Sequence, residues 1–264
     1  SSDVCSSDLV MQKNGLPGRA HEVVIREVVC VSNHDWTPYP YQNSTQDRIT
    51  RLKKSVREYT LGEEIANSIT HGIGALLAIA AIPLCVIKAV GSGEPLHLVA
   101  ALIYSIFMLL EYVMSTLYHA ISAERAKRVF KVLDHSFIYL FIAASYTPYC
   151  LITLVDGAGI GLCIFVWAVA LAGVAAESFW VFRPRWLSAL LYLCLGWAVV
   201  AFIPQLYALL APPAFWLLLA GGLCYSVGCI FYVLKKVPYM HSIFHVWIVA
   251  GSVCQFLSIV LFVL

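Results

Sequence analysis

The chain has 264 residues, of which 61% are hydrophobic and 12% charged, against roughly 45–50% and about 25% in an ordinary soluble domain; a water-soluble globule is excluded. A net charge of +2 is too small to attract nucleic acid, so no such partner is expected. The nine cysteines form no CxxC pair, and Cys85, Cys150, Cys163, Cys194, Cys224, Cys229 and Cys254 lie in apolar runs, where they read as small core hydrophobes and not as a disulfide framework or thiolate metal site.

Residues 1–47 are polar, without helical periodicity, and contain Pro17, Pro38 and Pro40. With no apolar h-region they are not a signal peptide, and the near-repeat in Ser1 to Leu9 reads as non-native; the expectation is a non-native or disordered leader. Residues 48–69 follow as a basic cytoplasmic juxtamembrane segment, with Arg48, Arg51, Lys53, Lys54 and Arg57 set to lie against anionic headgroups. Residues 70–264 hold seven apolar segments, roughly 70 to 90, 96 to 119, 132 to 153, 159 to 180, 186 to 207, 212 to 234 and 241 to 263. Each is near the ~20 residues that cross a bilayer as a helix. Pro83, Pro148 and Pro204 are expected to kink their helices, which a bundle tolerates.

The loops alternate in charge. Arg125, Lys127, Arg128 and Lys131 follow the second segment, Arg183 and Arg185 the fourth, Lys235 and Lys236 the sixth. The remaining loops carry Lys88, Glu94, Asp156 and little else. The positive-inside rule then predicts an all-α, polytopic, seven-transmembrane-helix bundle with a cytoplasmic N-terminus and an extracytoplasmic C-terminus.

Knowing each helix's direction places the polar residues by depth. His241 and His245 open the seventh segment four residues apart, one above the other on one helical face. Alone, such a pair reads equally well as two interface histidines. His119 ends the second segment and Asp134 begins the third, so the short basic hairpin brings these two to the same cytoplasmic depth. Three histidines, His119, His241 and His245, can fill three sites of a tetrahedral Zn2+ and leave the fourth to water, as in catalytic zinc sites. Asp134 then either orients that water and takes its proton, or closes a structural site as fourth ligand; taken singly it reads as a helix N-terminal carboxylate. Ser115, one turn before His119, is the hydroxyl expected to support the water or Asp134.

Other polar positions read more plainly. Capping and interface roles explain Glu64, Asn67, Thr70 and His71 almost as well as a site role, and His135 reads as an interface contact. Glu111 is deep enough that it must face the bundle or be protonated. Tyr118, Tyr139, Tyr146, Tyr149 and Trp247 read as bundle packing and interface aromatics.

Glu64-x-x-Asn67-x-x-x-His71, Ser115-Thr116-Leu117-Tyr118-His119-Ala120, Asp134-His135-x-x-Ile138-Tyr139-Leu140-x-x-Ala143-x-x-Tyr146-Thr147-Pro148 and His241-Ser242-Ile243-Phe244-His245 closely resemble the motifs of bacterial hemolysin III-type membrane proteins, a branch of the progestin and adipoQ receptor family. The resemblance runs from about Leu61 to Leu264. It implies a seven-helix bundle in the bacterial inner membrane, with zinc on His119, His241 and His245, Asp134 near the zinc-bound water and Ser115 beside it. Glu111 stands where the pattern leads one to expect an apolar residue. Three functions follow as expectations. The first is sensing or maintaining membrane lipid state. The second is zinc-dependent hydrolysis of a lipid amide or ester, as in the distantly similar alkaline ceramidases, with Asp134 as base and Ser115 or Glu111 assisting the oxyanion or leaving group. The third is cytolysis by pore formation, against which stands the gathering of polar residues at one end.

Overall fold

The computed structural model describes residues 59–180, 184–234 and 236–264. The expected leader at 1–47 and the basic run from Arg48 to Arg57 lie outside the described residues. Within them every regular element is helical, and seven helices are long and apolar enough to cross a membrane.

The first helix, α1, spans Leu61–Gly91 and starts well before the position near 70 expected from hydropathy. Its start is set by a capping box: the Thr60 amide donates to Glu63 Oε2 at 2.9 Å and the Glu63 amide to Thr60 Oγ1 at 3.4 Å, satisfying two amides that lack helical partners. Glu64, Asn67, His71, Gly74, Ala78, Ala81, Cys85 and Ala89 are its buried residues, a continuous i, i+3, i+7 stripe. Ile65, Ile69, Ile73 and Leu76 are exposed on the other side. Polar groups face inward and apolar groups outward, as required where the surroundings are lipid.

A second helix, α2 (Pro95–Ala120), and a third, α3 (Glu124–Pro148), form a tight hairpin. Here the expected basic loop is corrected: only residues 121–123 connect the helices, and Arg125, Lys127, Arg128 and Lys131 lie on the first two turns of α3. The reason is that Lys127 and Lys131 turn inward and are buried. Lys127 Nζ donates to the carbonyls of Tyr118 at 2.8 Å and Ile121 at 3.4 Å, closing the end of α2. Asp134 consequently sits about 15 Å into α3, and not near its beginning as expected. Pro148 ends the regular part of α3, and Tyr149–Thr153 wind as a wider π turn.

After α4 (Gly159–Trp180) the fifth span is broken into α5 (Arg185–Gly196), a 3₁₀ stretch Trp197–Phe202 and α6 (Ile203–Leu209). The break precedes Pro204. Its freed backbone groups are met by one side chain: Tyr146 OH donates to the carbonyls of Leu195 (3.0 Å) and Gly196 (2.6 Å) and accepts from the Val199 amide at 2.9 Å. The remaining helices are α7 (Pro212–Val233) and α8 (Met240–Phe262).

Successive helices pack as neighbours and α8 closes against α1. Glycine permits two of the closest approaches. A Cβ on Gly74 would lie 2.6 Å from the Tyr112 ring and one on Gly251 would lie 2.5 Å from Tyr225. Tyr118, Tyr139, Tyr146 and Tyr149 are buried in the bundle as expected. The described cysteines form no disulfide; Cys85, Cys150 and Cys229 are buried, whereas Cys194 is exposed on the outer surface.

Candidate metal centre

Packing α1 against both α2 and α8 brings the far ends of the chain together around three imidazoles. His119 is the second-last residue of α2, and His241 and His245 occupy the first two turns of α8. One ring nitrogen from each lies within 4.8 Å of the other two. His241 Nε2 and His245 Nε2 are 3.1 Å apart, close to the roughly 3.4 Å separating two nitrogens bound tetrahedrally to one zinc at about 2.0–2.1 Å. His245 is 1% exposed, His119 3% and His241 9%.

Helix α1 orients the rings. His119 Nδ1 is 2.7 Å from Glu64 Oε2, and Glu64 Oε1 is in turn 2.8 Å from Lys127 Nζ. A carboxylate only accepts, so the proton is on Nδ1 and the Nε2 lone pair is the one directed toward the other two histidines. His245 Nδ1 lies 3.1 Å from the Asn67 carbonyl and 3.1 Å from Thr70 Oγ1. The same tautomer follows, because a carbonyl cannot donate. Ser242 Oγ donates to Asn67 Oδ1 at 2.6 Å. Tyr59 stacks on His241 with ring centroids 4.9 Å apart, and Arg185 Nη2 donates to the Tyr59 hydroxyl at 2.6 Å. His71 stacks on His245 at 3.5 Å. Two of the three imidazoles are thus held as metal ligands are held, each with its outer nitrogen on an acceptor and its inner lone pair turned to a common point. The group could hold a metal ion.

Sequence reasoning brought the three histidines together but did not single out their supports. For Glu64, Asn67 and Thr70 capping and interface roles weigh almost equally with a site role, and Lys127 was expected in a loop. The signal was present in the spacing: Glu64, Asn67 and His71 recur at i, i+3 and i+7, a single helical face.

Asp134 and Ser115 stand beside the histidines. The Ser115 hydroxyl interacts with the Asp134 carboxyl, and both line a cavity that His71, His241 and His245 also line. Asp134 is not part of the group gathered within 4.8 Å, so a closed four-ligand site is not what the described residues build. Glu111 faces the bundle, 3% exposed, on the same cavity wall. His135, expected at the interface, instead lines the cavity, with Nε2 3.9 Å from Asp134 Oδ2 and Nδ1 3.7 Å from Glu177 Oε2.

From this polar end the cavity follows α8 to Gln255, ten residues and about 15 Å beyond His245. Ile138, Phe141, Ile142, Leu206, Phe215 and Leu218 line its length. One end carries imidazole, carboxyl and hydroxyl groups, and the rest is mostly apolar, with Ser145, Tyr149, Tyr225 and Gln255 as its polar members.

The whole span of these features, residues 59–256, matches the family model described as haemolysin-III related. The chain is 41% identical over 204 residues to the hemolysin-3 homolog of Bacillus subtilis (strain 168), covering 77% of this chain and 96% of that protein. It is 41% identical over 218 residues to hemolysin-3 of Bacillus cereus, with 83% and 97% covered. A more distant relative is the human monocyte to macrophage differentiation factor, 23% identical over 206 residues, with 76% and 84% covered. By this match and these identities, the protein belongs to the haemolysin-III related family of multi-pass membrane proteins.

Proposed function

We infer that the protein binds one zinc ion on His119, His241 and His245 and maintains membrane lipid state by hydrolysing an acyl amide or ester of a lipid. The observation that carries this reading is the placement of three converging imidazoles at the polar end of a cavity whose remaining walls are mostly apolar. Three neutral imidazoles are a donor set that suits zinc, and the two tautomers that α1 enforces are those that ligation needs. Bound there, zinc would polarise a water and an acyl carbonyl.

The chain's own residues supply the rest. Ile138, Phe141, Leu206 and Phe215 hold the acyl chain and keep water from it. Asp134, beside Ser115 on the cavity wall, is the base that takes the proton of the attacking water. Glu64, Asn67 and Thr70 keep the histidine rings from turning. By the positive-inside rule this end of the bundle faces the cytoplasm of a bacterial inner membrane, the same end that carries Lys127, Lys131 and Arg185.

Relatives are named for haemolysis, yet a conducting pore through one chain needs a polar stripe along several helices, and the cavity is mostly apolar beyond its first turns. The test is incubation of the purified protein in vesicles with acyl-labelled lipid amides and esters, wild type beside Asp134→Ala. Zinc-dependent acyl release that falls at least about 10²-fold in the variant is expected. Release from no lipid in either class removes hydrolysis and leaves a site without turnover.

A further inference from the structure

Asp134 does not stand alone in the cavity wall. Its Oδ2 is 3.9 Å from His135 Nε2, the opposite nitrogen of that ring is 3.7 Å from Glu177 Oε2, and Glu177 Oε1 accepts from the Tyr192 hydroxyl at 3.3 Å. These residues come from three helices, α3, α4 and α5. Glu177 is fully buried, one turn from the end of α4 at Trp180. An acid at 0% exposure in a span whose other buried residues are glycine, leucine, valine and alanine is costly unless it has work to do.

We propose that Asp134, His135 and Glu177 form a proton relay that carries the proton taken up in the cavity to the cytoplasmic ends of α4 and α5. The proposal rests on the hydrolytic reading above, because that reaction generates the proton. The geometry is that of a bridge. His135 presents one ring nitrogen to each carboxylate, and its Nδ1 has no hydrogen-bond partner among the described residues, so the ring is not committed to a structural contact on that side. Each gap is slightly longer than a hydrogen bond and closes with a small rotation of His135 or one intervening water. The Tyr192 hydroxyl also lies 3.2 Å from the His135 carbonyl, which ties Glu177 to the backbone of the residue it faces.

The proton balance is simple. Water adds its oxygen to the acyl carbon, and one of its protons passes to the Asp134 carboxylate. Asp134 gives that proton to His135 Nε2 while His135 Nδ1–H gives its own to Glu177 Oε2. Glu177, itself fully buried, then passes its proton to a water entering from the cytoplasmic ends of α4 and α5, and the imidazole returns to its first tautomer. The acyl–nitrogen or acyl–oxygen bond breaks, its electron pair goes to the leaving atom, and that atom takes a proton from water. No oxidant or second substrate is consumed. Among the described residues, Ser115 and Glu111 of α2 and Lys131 of α3 also face the relay. Glu111, whose Oε2 has no partner among the described residues, is the inner neighbour of Asp134.

The test has two arms. In the first, acyl release by the zinc-loaded protein is measured for His135→Ala and Glu177→Gln with and without imidazole in the buffer. The relay predicts a fall in kcat of about 10²-fold at unchanged zinc content, a changed pH–rate profile, and partial restoration of His135→Ala by imidazole. In the second arm, infrared difference spectra follow the carboxyl bands of the metal-free protein with pH. The relay predicts carboxyl and imidazole bands that change together in the wild type, and carboxyl bands that titrate separately in the more conservative His135→Gln. Unchanged kcat and pH profile in both variants, or carboxyls that already titrate independently in the wild type, overturn the relay. If no lipid is hydrolysed, the first arm sinks the hydrolytic reading, and the infrared arm still decides whether the three residues share a proton.

Discussion

The two halves of α8 are built from similar polar residues and treat them differently. In the first half, His241, Ser242 and His245 are held from outside by α1, and polar atoms around them are left over: His241 Nδ1, both ring nitrogens of His71 and Glu111 Oε2 have no hydrogen-bond partner among the described residues. In the second half, Ser252 accepts from Tyr112 at 2.6 Å and pairs with Tyr225 at 3.0 Å. Ser258 accepts from Tyr149 at 2.8 Å, and Gln255 donates to the Leu218 carbonyl at 3.2 Å. The Tyr104 hydroxyl is the exception there. Satisfied polar groups in mid-membrane hold helices together. Unsatisfied ones gathered on one cavity wall are groups kept for something the chain itself does not supply.

That contrast can be broken by substitution at either end. The largest effect is expected at Glu64. Glu64→Gln keeps the side chain's shape but removes the carboxylate that orients His119, so zinc affinity should weaken about 10–100-fold in competition with a chelator of known affinity. Asn67→Ala leaves the backbone carbonyl that meets His245 and removes the bond from Ser242 and the longer 3.4 Å contact of Asn67 Nδ2 with His119 Nδ1. A smaller loss of about fivefold, near 1 kcal/mol, is expected in the same titration. Ser258→Ala should leave zinc affinity unchanged and lower stability by about 1 kcal/mol, read as a lower unfolding midpoint in detergent. If Ser258→Ala weakened zinc binding as much as Glu64→Gln, the division of α8 into a site half and a structural half would be wrong.

Much of the fold was legible because a membrane imposes a strong pattern. Seven apolar segments of crossing length, punctuated by Gly91-Ser92-Gly93, Pro212-Pro213 and similar breaks, admit few other readings. The gathering of the three histidines was legible through depth and helical spacing, whereas Asp134 lies deeper along its helix than depth alone placed it. What the pattern hid was whatever depended on helices reaching past the apolar region. Hydropathy starts α1 near residue 70, whereas the Thr60 and Glu63 capping box starts it at Leu61, and the turns in between carry the residues that orient the histidines. A run of lysines and arginines likewise reads as a loop until Lys127 is seen bonded to the end of α2. The break in the fifth span has no local cause before Pro204. It depends on Tyr146, about fifty residues earlier, whose hydroxyl meets the freed carbonyls. Such long-range compensation leaves no periodic trace in the segment it serves.

The central claim is that α1 holds His119, His241 and His245 as the ligands of one zinc ion. Metal analysis of the purified protein, wild type and each of His119→Ala, His241→Ala and His245→Ala, tests it most directly. The expected result is about one zinc per chain in the wild type and a loss of bound zinc in each variant, with the helical content of all four unchanged. Undiminished zinc in both His241→Ala and His245→Ala would contradict it.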